Sequence, residues 1–349
     1  MVDGFFTAIP GSAGSPESPS ALIVPHAGYV YSGQTAAYGY ARIQNEDVET
    51  VVLVGPYHNA FFPGASVWTE GDWRTPLGIV KIDAALAQAV LSEDPSFGFN
   101  PAAHSTEHSL ETQIPFLQRT LRDFRIVPIL ISDPSPKNTA ALARAIWKHI
   151  RGKKVLVVAS SDMSHYHSED AAQRMDSSTL ELLGKMDARG LRRGLDAGQN
   201  ELCGRAAVEV LLELAALSGP TRIERLHYAT SAASSGDRSR VVGYGALTFY
   251  PGVSKKDELI LGLEDKKTLL RLARSSVEAH VSGQSLPEVP PGSSVFKEPR
   301  AVFVTIREQG MLRGRIGRVF PEEPMADAVR HMAVEAASQD TRKGKSFKR

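Results

Sequence analysis

The sequence predicts an α/β fold, a mostly parallel sheet with helices on both faces, followed by a small incomplete α+β domain at the C-terminal end. Two observations lead to this prediction. Between Ala21 and Tyr250, short apolar runs alternate with segments of helical periodicity, as in chains whose strands and helices alternate. The apolar runs are nearly continuous in Val, Ile and Leu, which is typical of parallel strands buried on both faces.

Five segments have the composition of strands in this sheet, and they are, in chain order, ALIV, TVVLV, RIVPILI, KVLVVAS and RVVGYGALTFY. One helix is predicted at 107–121, where apolar residues recur at helical spacing and Pro115 should kink or divide the helix. Another is predicted at 203–218, which ends before Gly219 and Pro220. Cys203 lies at the start of that pattern and is interpreted as a small buried hydrophobic residue.

Composition divides the chain into four parts. Residues 1–20, with the run GSAGSPESPS, are predicted to be a flexible lead-in, and 21–250 form the large domain. Residues 251–263 begin with Pro-Gly, are rich in charge and are interpreted as a linker. In the remaining part, 264–349, we predict a helix at 264–282, two strands in AVFVTIREQGMLRGRIG and a helix in MADAVRHMAVEAASQ.

Charge and cysteine content exclude several classes of protein. The formal net charge is +1, so no global field draws the chain to nucleic acid or to an anionic membrane. A single cysteine rules out a disulfide framework and a cysteine-rich zinc site. No apolar run approaches the length needed to span a bilayer. We therefore expect a cytoplasmic protein with no nucleic-acid or membrane partner.

Titratable side chains follow three of the predicted strands directly. His26 follows ALIV, His58 follows TVVLV, and Asp162 and His165 follow KVLVVAS. In open α/β sheets, ligands bind outside the carboxyl ends of the strands, so these groups should lie at one edge of one sheet. Two imidazoles and a carboxylate with open positions match a non-haem Fe(II) site, and the same set could hold zinc with a bound water.

A fourth segment, HSTEHSLE, adds Glu107 and His108 at a predicted helix start. His108 is a candidate for proton transfer or substrate binding, because an imidazole titrates near neutral pH. Glu107 is a second catalytic candidate, although a carboxylate at this position could simply favour the helix N-terminus through the macrodipole.

Several motifs together resemble the Memo (mediator of cell motility) family. They are VPHAGYVYSG, GPYHN, EHSLETQIPFLQ, SSDMSHY and YATSAASSGD followed by VVGYGAL, and they cover nearly all of residues 21–250. That family is similar in fold to the LigB-like class III extradiol dioxygenases, which use non-haem Fe(II). The resemblance implies that His26, His58, Asp162 and His165 line a metal pocket, with His108 nearby.

The resemblance also implies roles for two further residues. Ser234 aligns with a metal-binding cysteine of animal relatives, and a serine is a poor ligand for a soft metal. We therefore expect Fe(II) rather than Cu of the animal type, with Cu or Zn as alternatives. Ser234 and Tyr31, which lies in the VPHAGYVYSG motif, are expected to contact the substrate.

The segment FVTIREQGMLRGRIG, within residues 264–338, resembles the first part of the AMME-syndrome candidate-region domain. Arg315 stands where the LRGCIG signature of that family has a cysteine. The two domains occur together with a radical-SAM protein in the AmmeMemoRadiSam system, so the resemblance implies a radical-SAM partner.

Three functions stay open at this point. The first is a metal-dependent oxidoreductase of dioxygenase type that acts on an unknown small molecule. The second is a metal-dependent hydrolase that uses the same pocket, and the third is a non-catalytic protein whose pocket holds a ligand or peptide.

Overall fold

The computed structural model describes residues 1–10, 17–219, 221–251, 261–291, 294–308, 311–318 and 323–338. The chain forms two compact units, Met1–Ser254 and Lys255–Arg349. Among the residues that the structure describes, none of the helices is both long and apolar enough to cross a membrane.

Helices and strands alternate along the large unit and recur in the small one. The helices are α1 Val2–Thr7, α2 Tyr29–Ala41, α3 Ala84–Leu91, α4 Pro101–Ser105, α5 Ile114–Thr120, α6 Pro136–Ile150, α7 Glu169–Gly184, α8 Ala188–Asp196, α9 Arg205–Ser218, α10 Ala232–Ser235, α11 Leu263–Ser282 and α12 Met325–Ser338. The strands are β1 Ala21–Val24, β2 Thr50–Pro56, β3 Ala65–Val67, β4 Trp73–Thr75, β5 Gly78–Ile82, β6 Phe97–Gly98, β7 Arg125–Ile131, β8 Val155–Ser160, β9 His165–His167, β10 Thr221–Thr230, β11 Val241–Pro251, β12 Val302–Glu308 and β13 Met311–Arg318.

The large unit is built on one mixed sheet with the strand order β10-β11-β1-β8-β2-β7-β3-β6. Its four central strands, β1, β8, β2 and β7, are parallel to one another, whereas β11 runs antiparallel to β1, and β10 runs antiparallel to β11. The predicted fold class is therefore confirmed. The carboxyl ends of the four central strands all lie at the same edge of the sheet.

Side chains of the central strands alternate between two apolar layers. In β8, Leu156 and Val158 pack in a layer with α2 and α5, while Val157 and Ala159 pack in a layer with α6 and α9. All four residues are essentially inaccessible to solvent. Burial on both faces explains why these strands are continuously apolar rather than alternating with polar residues.

All five predicted strands of the sheet are present, but the helix predicted at 107–121 and the strand β10 differ from the sequence-based prediction. The predicted helix at 107–121 is a 3-10 turn, Glu111–Gln113, followed by α5, because Pro115 lacks an amide hydrogen and suits the first turn of a helix. The strand β10 was not predicted, since its sequence RIERLHYAT carries charges and its residues are only partly buried.

The expectation of a flexible lead-in over residues 1–20 is wrong for its first part. Residues Val2–Thr7 form α1, and the rings of Phe5 and Phe6 lie 6.4 and 6.0 Å from the ring of Phe116. Burial of these two aromatic rings against the large unit outweighs the weak helical preference of so short a segment. Residues 11–16 and most of the predicted linker 251–263 lie outside the described residues.

In the small unit, β12 and β13 form an antiparallel hairpin, and α11 and α12 supply the rest of an apolar core. Leu272, Phe296 and Met332 are among the buried residues of that core. Gly314, in the LRGRIG segment, lies where β13 approaches α12 so closely that a β-carbon would be 1.9 Å from the carbonyl oxygen of Ala336. The glycine is therefore required by packing at this position.

The segment that leads to Glu107 is anchored by His104. Its Nε2 lies 3.2 Å from the backbone carbonyl oxygen of Ser66, and its ring packs edge-on against Trp68 and Trp73. The carbonyl accepts, so Nε2 carries the proton. Burial lowers the pKa of His104 to about 4, although the hydrogen bond to Ser66 and the charge of Glu107 act in the opposite direction.

The buried His104 predicts a loss of stability in mild acid. A pKa lowered from 6.5 to about 4 means that the neutral ring stabilises the fold fully above pH 6.5, and that this contribution is lost as the pH falls towards 4. We expect the free energy of unfolding to fall over this range by up to about 3 kcal/mol more in the wild type than in His104→Gln. Urea denaturation between about pH 7 and about pH 4 measures the difference. Parallel curves for the two proteins would contradict the assignment.

Candidate metal centre

Three imidazole rings meet at the carboxyl edge of the sheet. His26 follows β1, His58 follows β2, and His108 lies in the loop that precedes α5. The ring centroids of His26 and His58 are 5.2 Å apart, those of His26 and His108 are 5.5 Å apart, and those of His58 and His108 are 5.0 Å apart. The arrangement brings histidines from three separate segments around one small space at this edge.

The ring of His26 is held in one tautomer by Ser160, the last residue of β8. The Ser160 hydroxyl donates to the carbonyl oxygen of Ser109 at 2.7 Å and accepts from Nε2 of Gln113 at 2.9 Å. Its second lone pair faces His26 Nδ1 at 2.8 Å, so Nδ1 carries the proton and Nε2 carries the lone pair. Burial lowers the pKa of His26 to about 4 against the opposing charge of Asp162, which keeps the ring neutral.

The carboxylate of Glu107 orients His58. It lies 2.9 Å from His58 Nδ1 and accepts from the backbone amides of His58, His108 and Ser109 at 2.7 to 2.8 Å. Burial by itself would raise the pKa of Glu107, but the hydrogen bonds from His58 and from the backbone outweigh burial and hold the pKa at about 2. The ionised carboxylate accepts a hydrogen bond from His58 Nδ1–H, which leaves the lone pair of the neutral ring on Nε2.

Cys203 lies against His26. Its Sγ is 3.1 Å from His26 Nε2 and accepts a hydrogen bond from the backbone amide of Asp162 at 3.1 Å. Because His26 Nε2 carries a lone pair, the thiol is the donor in the first contact. Burial raises the pKa of the Cys203 thiol well above its ordinary value, and the charge of Asp162 adds to this effect. The thiol is therefore protonated at neutral pH.

Asp162 and His165 lie on the other side of Cys203. Asp162 Oδ1 accepts from the backbone amides of His26 and Ala27 at 2.8 and 3.2 Å, which ties the end of β8 to the end of β1. His165 Nδ1 donates to the carbonyl oxygen of Met163 at 2.8 Å, so its Nε2 also carries a lone pair.

Three overlapping groups of side chains could hold a metal ion, and within each group the ligand atoms lie within 4.8 Å of one another. The groups are His26 with His58 and Cys203, His58 with Glu107 and His108, and Asp162 with His165 and Cys203. The four residues predicted from the sequence as ligands thus fall into two groups that share Cys203. Of the two catalytic candidates, Glu107 is buried and His108 is exposed.

The two residues predicted to contact substrate lie outside these groups. Ser234 is exposed in the short α10 and donates to the carbonyl oxygen of Val30 at 2.7 Å. Tyr31 lies in the first turn of α2 and is 48% exposed. The Ser234 contact therefore connects α10 to the same turn that carries Tyr31.

The interpretation of Cys203 as an ordinary buried hydrophobic residue is wrong. The helix α9 begins only at Arg205, and Cys203 belongs to the preceding turn, whose backbone touches the end of β8. Gly204 is the signal that could have indicated this approach, because a β-carbon there would be 2.2 Å from the carbonyl oxygen of Ser160. A thiol is thus present beside the imidazoles.

Comparison with known proteins agrees with the motifs. The family model described as Memo-like protein matches residues 2–248, and the AMMECR1 family model matches residues 270–345. A MEMO1 family protein of Saccharolobus solfataricus is 38% identical over 233 residues, which cover 65% of this chain and 82% of the relative.

Two further relatives have similar coverage. A MEMO1 family protein of Methanothermobacter thermautotrophicus is 35% identical over 240 residues, covering 68% of this chain and 87% of the relative. Another, of Desulfurococcus amylolyticus, is 35% identical over 249 residues, covering 68% of this chain and 88% of the relative. The chain therefore belongs to the Memo-like protein family, and an AMMECR1 segment follows its Memo domain.

Proposed function

We propose that this protein is a metal-dependent oxidoreductase that acts on a small molecule at the carboxyl edge of its sheet. The proposed ligands are His26 Nε2, His58 Nε2 and the Sγ of Cys203. The observation that supports the proposal most directly is the hydrogen bonding of the two histidines. Each ring has its Nδ1 proton engaged by a buried acceptor, Ser160 or Glu107.

Such an arrangement is what a metal-binding imidazole requires. A histidine ligand donates its other ring N–H to a carboxylate, carbonyl or similar acceptor, which fixes both the tautomer and the orientation of the ring. His26 and His58 meet this requirement through different partners on different segments. The Cys203 thiol would have to lose its proton on binding an ion, so metal affinity should rise with pH.

Iron is the ion that we expect. Imidazole suits iron, copper and zinc alike, and a thiolate is a soft donor that also suits copper and zinc. The fold likeness of this family to extradiol dioxygenases favours Fe(II), which would supply redox chemistry with dioxygen. The presence of Cys203 removes the argument against copper that rested on Ser234.

The remaining residues of the site would act on the substrate. His108 is half-exposed at its side chain, and its Nδ1 lies 3.3 Å from Glu107 Oε1, so its Nε2 is the atom available for proton exchange with substrate. Glu107 is better suited to hold His58 and the 107–109 backbone than to carry a proton, because its oxygens already accept four hydrogen bonds. Asp162 and His165 would bind the far side of the substrate or a second ion.

Anaerobic purification followed by elemental analysis tests the proposal, together with an oxygen-uptake screen using small phenolic substrates. Bound iron with substrate-dependent oxygen uptake is the expected result. Stably bound zinc without oxygen uptake would instead support a hydrolase, and a protein that retains no metal would support the non-catalytic binding function.

Substitution of single ligands should separate the metal site from its surroundings. We expect His58→Ala and Cys203→Ala each to lose most of the bound metal, because a ligand atom is removed outright. Ser234→Ala should retain the metal, because its hydroxyl bonds to the Val30 carbonyl instead. Metal content per chain, measured on the purified variants with circular dichroism as a check on folding, gives the answer. Equal losses in Ser234→Ala and His58→Ala would show that the proposed ligand set is wrong.

Glu107 offers a second test of the same site. Glu107→Gln removes the charge that orients His58, and such a change in a residue behind a metal ligand typically weakens metal binding by about 10–100-fold. The control is Glu111→Gln, which neutralises an exposed carboxylate in the next turn of the same segment. Titration of each metal-free protein with Co(II) gives the affinities. An unchanged affinity in Glu107→Gln would mean that this hydrogen bond does not support the metal.

A further inference from the structure

Tyr244 has a buried ring and an unbonded hydroxyl. The residue lies in β11 and is only 2% exposed. Its hydroxyl makes no hydrogen bond to any residue in the described part of the chain. The hydroxyl oxygen nevertheless keeps some exposure to solvent. The phenol oxygen therefore reaches an accessible surface from a buried position, which is how a ligand-binding tyrosine is placed.

The strand register brings Tyr244 to the carboxyl edge of the sheet. In the antiparallel pair of β1 and β11, Leu22 pairs with Thr248 and Ile23 pairs with Leu247. Tyr244 lies three residues before Leu247 in the antiparallel β11, and therefore beyond the carboxyl end of the paired part of β1.

The neighbouring residue is tied to the segment that follows β8. The amide of Gly243 donates to the carbonyl oxygen of Ser164, and the amide of Met163 donates to the carbonyl oxygen of Gly243, both at 2.9 Å. Tyr244 is thus attached to the two segments that carry His26 and Asp162.

The electrostatic surroundings of Tyr244 agree with this placement. Burial raises the pKa of Tyr244 well above its ordinary value, and the charge of Asp162 and the phenols of Tyr31 and Tyr166 add to the effect. A phenol with a raised pKa stays protonated, so its O–H can donate a hydrogen bond to an acceptor on a bound molecule.

Tyr166 extends the same surface towards solvent. Its backbone adopts φ 63°, which is unusual for an aromatic residue, and its ring is 65% exposed. Glu201 holds this conformation by accepting from the amide of His165 and from His167 Nε2, both at 2.9 Å. The guanidinium carbon of Arg240 lies 5.3 Å from the centre of the Tyr166 ring. The Arg240 guanidinium and the Tyr166 ring therefore lie together next to His165, whose ring centroid is 5.7 Å from that of Tyr166.

We propose that Tyr244 is a substrate-binding residue that donates a hydrogen bond to an anionic oxygen of the substrate held in the metal pocket. The substrate class that fits is a small molecule with a carboxylate or phenolate group, since phenol donors and the nearby guanidinium both favour an anionic acceptor. This inference rests on the proposed metal-dependent function. It assigns to the same pocket a residue that recognises the substrate.

The test uses the full-length protein loaded with Co(II) and titrated with sodium azide, a small anion whose binding changes the visible spectrum of Co(II). Tyr244→Phe removes only the hydroxyl. Tyr250→Phe is the matched control, because Tyr250 is another buried tyrosine of β11 with an unbonded hydroxyl and lies at the far end of the strand. We expect Tyr244→Phe to bind Co(II) as the wild type does and to bind azide at least about tenfold more weakly, as for loss of a hydrogen bond to a charged group. Tyr250→Phe should change neither affinity.

Azide binding of wild-type strength in Tyr244→Phe would overturn the inference while leaving the metal site intact. Loss of Co(II) binding in Tyr244→Phe would also overturn it, since the hydroxyl would then support the metal site itself. A wild-type protein that binds no Co(II) would refute the proposed function and this inference together.

Discussion

The parallel alignment of β1, β8 and β2 is the constraint on which the site depends. Val24 pairs with Ser160, so His26 and Asp162 each lie two residues beyond a paired position and emerge side by side. β2 pairs with the other side of β8, which brings His58 to the same edge. Burial of apolar side chains on both faces of these strands holds the alignment. The alignment of the strands, rather than contacts among the polar groups, therefore sets where those groups lie.

Buried polar groups then determine the orientation of each side chain. Ser160 connects the end of β8 to His26, Ser109 and Gln113 through its single hydroxyl. Glu107 performs the same task for His58 with a carboxylate, whose burial is offset by four donors. Fully satisfied networks of this kind specify one arrangement, because leaving any member without a partner in a low-dielectric environment costs free energy.

Much of the fold was predictable because burial imposes a pattern on the sequence. The apolar runs ending before His26, His58 and Asp162 predicted three strands and the edge at which their polar residues lie. Helix boundaries were less predictable: Pro115 marks the first turn of α5 rather than a break within a longer helix. The helix α1 was missed because its stability comes from packing of Phe5 and Phe6 on Phe116, and no local periodicity records a tertiary contact of that kind.

The sequence by itself determined the α/β class, the two-part organisation of the chain and the position of His26 and His58 just after apolar strands, because the composition of a strand and the residues that follow it form a local pattern. Only the tertiary structure decided that Cys203 belongs to the metal centre. Its thiol reaches His26 across 177 positions of sequence, through a turn that packs on the end of β8. Such a contact depends on how the layers pack in three dimensions, and a single cysteine beside a helix carries no periodic signal of it.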